Sequence, residues 1–166
     1  MKPFSTCLAL TLALATVLAA PASAAPEPFS VHHLVMMDRI SWMTVSPDGE
    51  HVAFAVDDTD LEANRGRTDL YVMREDGSGL RRLTAHEAGD SSPVWANDSG
   101  SLYFLSTRSG SSQIWHIPVD GGEERQVSDL PLGVGDLKLS PTGTHVAFSA
   151  DVFIDCEDLQ CTADRL

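Results

Sequence analysis

Positive charge is scarce in this sequence. Eleven Lys and Arg stand against 24 Asp and Glu, a net charge of -13 over 166 residues. Phosphate backbones and anionic lipid are bound through clustered Lys and Arg, so neither nucleic acid nor an anionic membrane surface is expected as a partner. Long hydrophobic runs are also missing. The longest near-continuous one, Cys7 to Ala20, has 14 residues, short of the roughly 20 that a membrane-spanning helix needs. Catalytic and cofactor fingerprints are absent as well. There is no Gly-x-Ser-x-Gly, His-Glu-x-x-His, P-loop or dinucleotide-binding glycine pattern. No catalytic residue, cofactor or metal ligand is therefore assigned. Cysteine is limited to Cys7, Cys156 and Cys161.

What is present begins with a targeting segment. Lys2, the apolar run and the small residues Pro21-Ala22-Ser23-Ala24-Ala25 read as a secretory signal peptide over residues 1–24, cut between Ala24 and Ala25. An uncleaved amino-terminal anchor is the alternative, which the shortness of the run disfavours. The mature chain is expected in the periplasm or secreted, with no membrane attachment. Its balance becomes 10 basic against 24 acidic residues, or -14, because only Lys2 is lost. Cys156 and Cys161 remain, four residues between them. An oxidising compartment favours a local disulfide. A metal site is the sharper alternative, but two Cys without nearby His are poor evidence for it.

The rest is globular in composition, 43% hydrophobic and 21% charged, and it is built on a repeat. Ser46-Pro-Asp-Gly-Glu-His-Val-Ala-Phe54, Ala96-Asn-Asp-Ser-Gly-Ser-Leu-Tyr-Phe104 and Ser140-Pro-Thr-Gly-Thr-His-Val-Ala-Phe148 align without gaps. Each is a turn leading into an apolar strand. Asp69–Gly77 likewise matches Gln113–Gly121 at an offset of 44, the offset that also separates Phe104 from Phe148. Phe54 and Phe104 are 50 apart, and the six extra residues fall within Asp57–Thr68, a polar stretch that reads as a loop. Four short strands per unit, joined by Asp-Gly and Gly-Gly turns, indicate antiparallel propeller blades. The expected fold is all-β: a β-propeller fragment of two full four-stranded blades plus part of a third. A lead-in of 25–41 precedes a partial propeller of 42–166, with blades near 42–85, 92–129 and 134–166. Propellers close with four or more blades, so the chain is expected to be incomplete.

Smaller features carry structural expectations. His51 and His145 share one repeat position, which favours structure over catalysis. His32-His33 precedes the first blade and reads as solvated or packed. Asp57, Asp58, Asp60 and Glu62 lack the spacing and turn Gly of a Ca²⁺ loop. Asn97-Asp98-Ser99 matches a glycosylation acceptor but sits in a repeat turn. Trp42, Trp95 and Trp115 fall on strands and are expected in the core.

Ser46-Pro47-Asp48-Gly49 with Val52-Ala53-Phe54 resembles the PD40 repeat, shared by TolB-like proteins and by the prolyl oligopeptidase (S9) family of serine peptidases. The lead-in Leu34–Ser41, and Asp151–Cys156 with Cys161-Thr162, resemble the exported acylaminoacyl-peptidase and dipeptidyl-peptidase 5-like members. The resemblance covers about residues 29–166. It implies an amino-terminal propeller gating the access of short peptides to an α/β-hydrolase domain. That domain holds the whole catalytic triad, so no triad residue maps onto this chain. A TolB-like periplasmic scaffold for protein–protein interaction is the alternative.

Overall fold

The computed structural model describes residues 27–166, so the signal segment and the Ala24–Ala25 cleavage point lie outside the described residues. Strands β1 (Arg39–Val45), β2 (His51–Asp60), β3 (Arg65–Arg74) and β4 (Arg81–Arg82) form one antiparallel sheet in that order. A second sheet repeats the plan with β5 (Asp90–Trp95), β6 (Ser101–Ser106), β7 (Gln113–Pro118) and β8 (Arg125–Gln126). The pair β9 (Leu137–Leu139) and β10 (Val146–Phe148) begins a third. This is the expected all-β architecture of two complete blades and part of another. Two short helices were not legible as such: α1 (Val31–Val35) in the lead-in and α2 (Leu159–Ala163) near the end.

The turn sequences explain the first hairpins. The Asp48 carboxylate accepts hydrogen bonds from Ser46 Oγ (2.5 Å) and the Glu50 amide (3.0 Å), while Ser46 Oγ accepts from the His51 amide (2.9 Å). These bonds, that from Ser46 first, hold the Asp48 carboxyl below its ordinary range. Gly49 takes φ 78°, which costs glycine nothing; Ser99 takes φ 58° at the same place in the second blade. Neighbouring turns are also hooked together. The Asp48 amide donates to Ser99 Oγ (3.1 Å), and Asn97 Nδ2 donates to the Pro141 carbonyl (2.5 Å).

Strand alternation then sets the core. Ala53, Ala55, Leu70 and Val72 cover one face of the first blade and pack against Trp95, Leu102, Phe104 and Ile117 of the second. The small alanines leave room for the large rings opposite. The other face of the second blade packs Leu105 and Ile114 against Val134 and Leu137. The outward face of the first blade lacks such a neighbour among the described residues. Val45 is 58% exposed, whereas Trp95 at the same repeat position is 5% exposed.

Two expectations need correction. Asp57–Thr68 is not a loop. The β2–β3 ladder runs on through it, from Asp57 opposite Thr68 to Asp60 opposite Arg65. Acidic residues on β2 face Arg65, Arg67 and Thr68 on β3, and Thr68 Oγ1 donates to the Asp57 carboxylate (2.7 Å). Backbone pairing of polar and charged residues opposite one another builds such a ribbon without any hydrophobic alternation, so no apolar period betrays it. Trp42 is not a core residue either. It is 54% exposed at a bulge in β1, where the backbone irregularity removes it from the strand's inward–outward alternation.

Cys156 and Cys161 are joined as a disulfide. The loop it closes is further held by Arg165, which bonds Asp155 (2.7 Å) and lies 4.3 Å from the Phe153 ring centroid. Replacing both cysteines with Ser is expected to lower stability by about 2 kcal/mol, the chain-entropy value for so short a loop. Denaturant titration of the oxidised protein and the double variant measures it, and equal midpoints would refute it.

Candidate functional site

The first strand of each unit lies innermost. β1 approaches β5 and β5 approaches β9, whereas β4 and β8 form the outer edges. A hub therefore forms where three repeat units converge. The ladder is broken by a bulge between Ser41 and Thr44 in β1, and by another between Ser91 and Val94 in β5. Trp42 (φ 53°) and Ser92 (φ 52°) sit in these bulges with left-handed backbone. They occupy one repeat position, 50 residues apart like Phe54 and Phe104, and Asp136 stands 44 residues after Ser92. Left-handed backbone costs a non-glycine residue of order 1 kcal/mol, so its recurrence at the hub marks a shaped surface.

That surface is a cleft of about 300 Å³ lined by Trp42, Met43, Ser92, Pro93, Asp136 and Lys138, among others. The indole is open to solvent, and Asp136 and Lys138 are both exposed. Neither charged group belongs to an ion pair among the described residues. A larger cleft of about 390 Å³ lies by His51, Arg74, Arg81 and Asp120, away from the hub.

The other candidates resolve into structure. Asp48, Glu50 and His51 bring ligand-type atoms within 4.8 Å of one another, but Asp48 is engaged in its own turn. The third blade has Thr142, Thr144 and His145 at these places, so the acids do not repeat. Asp57, Asp58, Asp60 and Glu62 form no such cluster among the described residues. His33 Nδ1 accepts from the Ser30 amide (3.1 Å) and caps α1. Ser30 Oγ lies 3.0 Å from the same nitrogen, yet no carboxylate among the described residues bonds a histidine, so no relay forms. Asn97 spends its amide on the neighbouring turn. Trp95 is buried and its Nε1 donates to the Thr44 carbonyl (3.2 Å).

His116 is the histidine whose environment shifts it. Half-burial, then the nearby Arg125, push its pKa down from the ordinary value near 6.5. Arg125 Nε also donates to His116 Nδ1 (3.3 Å), a bond that needs the neutral ring. With the folded value depressed, the unfolded chain takes up the proton first as pH falls. The stability from His116 is therefore intact above about pH 6.5 and declines as pH falls toward the folded value. Melting temperatures of the native protein and His116→Gln should converge or cross on acidification; parallel pH profiles would contradict this.

Residues 41–153 match the TolB β-propeller domain, PD40. The chain belongs to this family. Over 119 residues, PD40 blades included, it is 31% identical to dipeptidyl-peptidase 5 of Porphyromonas endodontalis, an alignment that covers 72% of this chain and 17% of that protein. The chain thus spans about a sixth of the length of that curated relative. A structure described as TolB from Agrobacterium tumefaciens superposes with a TM-score of 0.58 at 30% identity, covering 72% of this chain and 41% of the other. The acylaminoacyl peptidase of Pyrococcus horikoshii superposes with a TM-score of 0.59 at 17% identity, over 75% of this chain and 19% of that enzyme. At that identity the likeness concerns the PD40 fold alone. The hub residues Trp42, in its bulge, and Asp136, just before β9, escape sequence reasoning, since a strand pattern places Trp42 in the core and gives Asp136 no partner.

Proposed function

We propose that this chain is the amino-terminal propeller segment of an exported serine peptidase that hydrolyses short peptides, in the manner of dipeptidyl- or acylaminoacyl-peptidases. The observation that carries the reading is the 119-residue similarity to dipeptidyl-peptidase 5. In this reading the propeller gates peptides toward an α/β-hydrolase domain that supplies the Ser, His and Asp of the triad. The chain itself binds no nucleic acid and carries no cofactor. The signal-like residues 1–24 direct it to the periplasm or beyond, and the mature protein begins at Ala25. The open face around Val45 supports a ring in which a further sheet packs on the first blade.

The test is made on the full-length gene product. It is expected to cleave chromogenic dipeptide or acylaminoacyl substrates, to lose that activity to a serine-directed phosphonate, and to start at Ala25 when recovered from the periplasm. Residues 25–166 alone are expected to hydrolyse nothing. A second reading, a TolB-like interaction scaffold, draws on the 48% identity over 50 residues to a TolB of Anaeromyxobacter dehalogenans. A full-length product with no hydrolase domain and no peptidase activity would favour it.

A further inference from the structure

From the hub cleft we infer a binding site for zwitterionic dipeptides, with Asp136 taking the ammonium, Lys138 the carboxylate and Trp42 the body of the ligand. The inference rests on the peptide-handling reading above and names the ligand class for one surface of it. Three observations support it. First, Asp136 and Lys138 line one cleft and are both exposed, with no ion-pair partner among the described residues. Second, Lys138 lies in β9 and Asp136 immediately precedes that strand. Two residues of extended chain set their attachment points about 7 Å apart. A dipeptide, itself two residues, spans at most about 7 Å between its charged ends. The spacing of the two attachment points along the strand thus matches the length of a dipeptide.

Third, the same cleft is lined by an indole held open by unusual backbone. Trp42 is exposed because its bulge carries left-handed φ, while Met43 and Pro93 add apolar surface beside it. An aromatic face near a carboxylate attracts an organic ammonium by both the ring quadrupole and the charge. The buried face of β9 is secured independently, by Leu137 packed with Leu105, Ile114 and Val134. Asp136 and Lys138 can therefore be changed without disturbing the core.

The experiment is calorimetric titration of the full chain with Gly-Phe, acetyl-Gly-Phe and Gly-Phe amide. Gly-Phe should bind, and blocking either end should weaken binding about tenfold. Asp136→Asn should weaken Gly-Phe about tenfold and abolish the penalty for acetylation while leaving that for amidation. Lys138→Met should do the converse. Trp42→Ala should weaken all three ligands alike. Equal affinity for the three ligands, or Gly-Phe binding that survives both charge changes, would overturn the inference. No binding by a chain whose melting is normal would also overturn it. Because binding is read directly, its failure is distinct from a failure of the peptidase reading, which is judged on hydrolysis by the full-length product.

Discussion

Arg108→Met is expected to destabilise the protein by about 3–5 kcal/mol, the range for stripping the partner from a buried charge. The Arg108 side chain is only 8% exposed, and its guanidinium bonds Asp90 at 2.7 Å and also pairs with Glu124. It lies 4.8 Å from the Trp115 ring centroid and 5.6 Å from that of Phe104. Asp90 is wholly buried, and its other oxygen has no partner among the described residues. Methionine fills the space but leaves that carboxylate alone in an apolar setting. Glu124 can turn to solvent, so Asp90 carries the loss. The double variant Arg108→Met with Asp90→Leu should recover most of it, because replacing a whole buried pair is commonly neutral. Denaturant titrations of the two single variants and the double variant measure the coupling. Additive single and double losses would show that the pair does not act as a unit.

Phe104→Ala should cost a similar amount, about 3–5 kcal/mol, for a different reason. The ring is fully buried between the first two blades, facing Ala53, Ala55, Leu70 and Val72. Alanines across the interface cannot lean into the void, so the cavity persists. Phe54 holds the same repeat position on the first blade but faces the open side. It is 6% exposed and stacks on Tyr71 with centroids 5.9 Å apart. Phe54→Ala should therefore cost less than Phe104→Ala in this chain. Equal losses would mean that the interface between the two blades contributes little beyond each blade's own burial.

Much of this fold was written in local chemistry. The Ser-Pro-Asp-Gly turn, the apolar triplet after it and the constant 44-residue offset mark hairpins because turn geometry and strand alternation are short-range effects. What the sequence hides is longer in range or free of hydrophobic period. The extension of β2 and β3 through Asp57–Thr68 rests on paired polar side chains, which look like a loop when read one strand at a time. The place of Trp42 depends on a bulge, a backbone event that shifts side-chain direction without changing composition. The helix Leu159–Ala163 has five residues, too few to show a period; its start is set by the Asp158 carboxylate, which accepts from the Cys161 amide (2.8 Å). The hub cleft was illegible because it joins Trp42, Ser92 and Asp136, residues brought together only by the convergence of three units.

Every strand described here pairs with a neighbour in sequence, and no sheet borrows a strand from elsewhere in the chain. Such a molecule responds to pulling in a particular way. Tension applied at one end meets a single hairpin at a time, so hydrogen bonds break in succession rather than together in shear. The outer strands Arg81–Arg82 and Arg125–Gln126, two residues each, offer little grip. The apolar packing between units and the hooks between turns, Asp48 to Ser99 and Asn97 to Pro141, tie one unit's yielding to the next. A chain of this design should unravel under an unfoldase as a series of small steps, each about one repeat long.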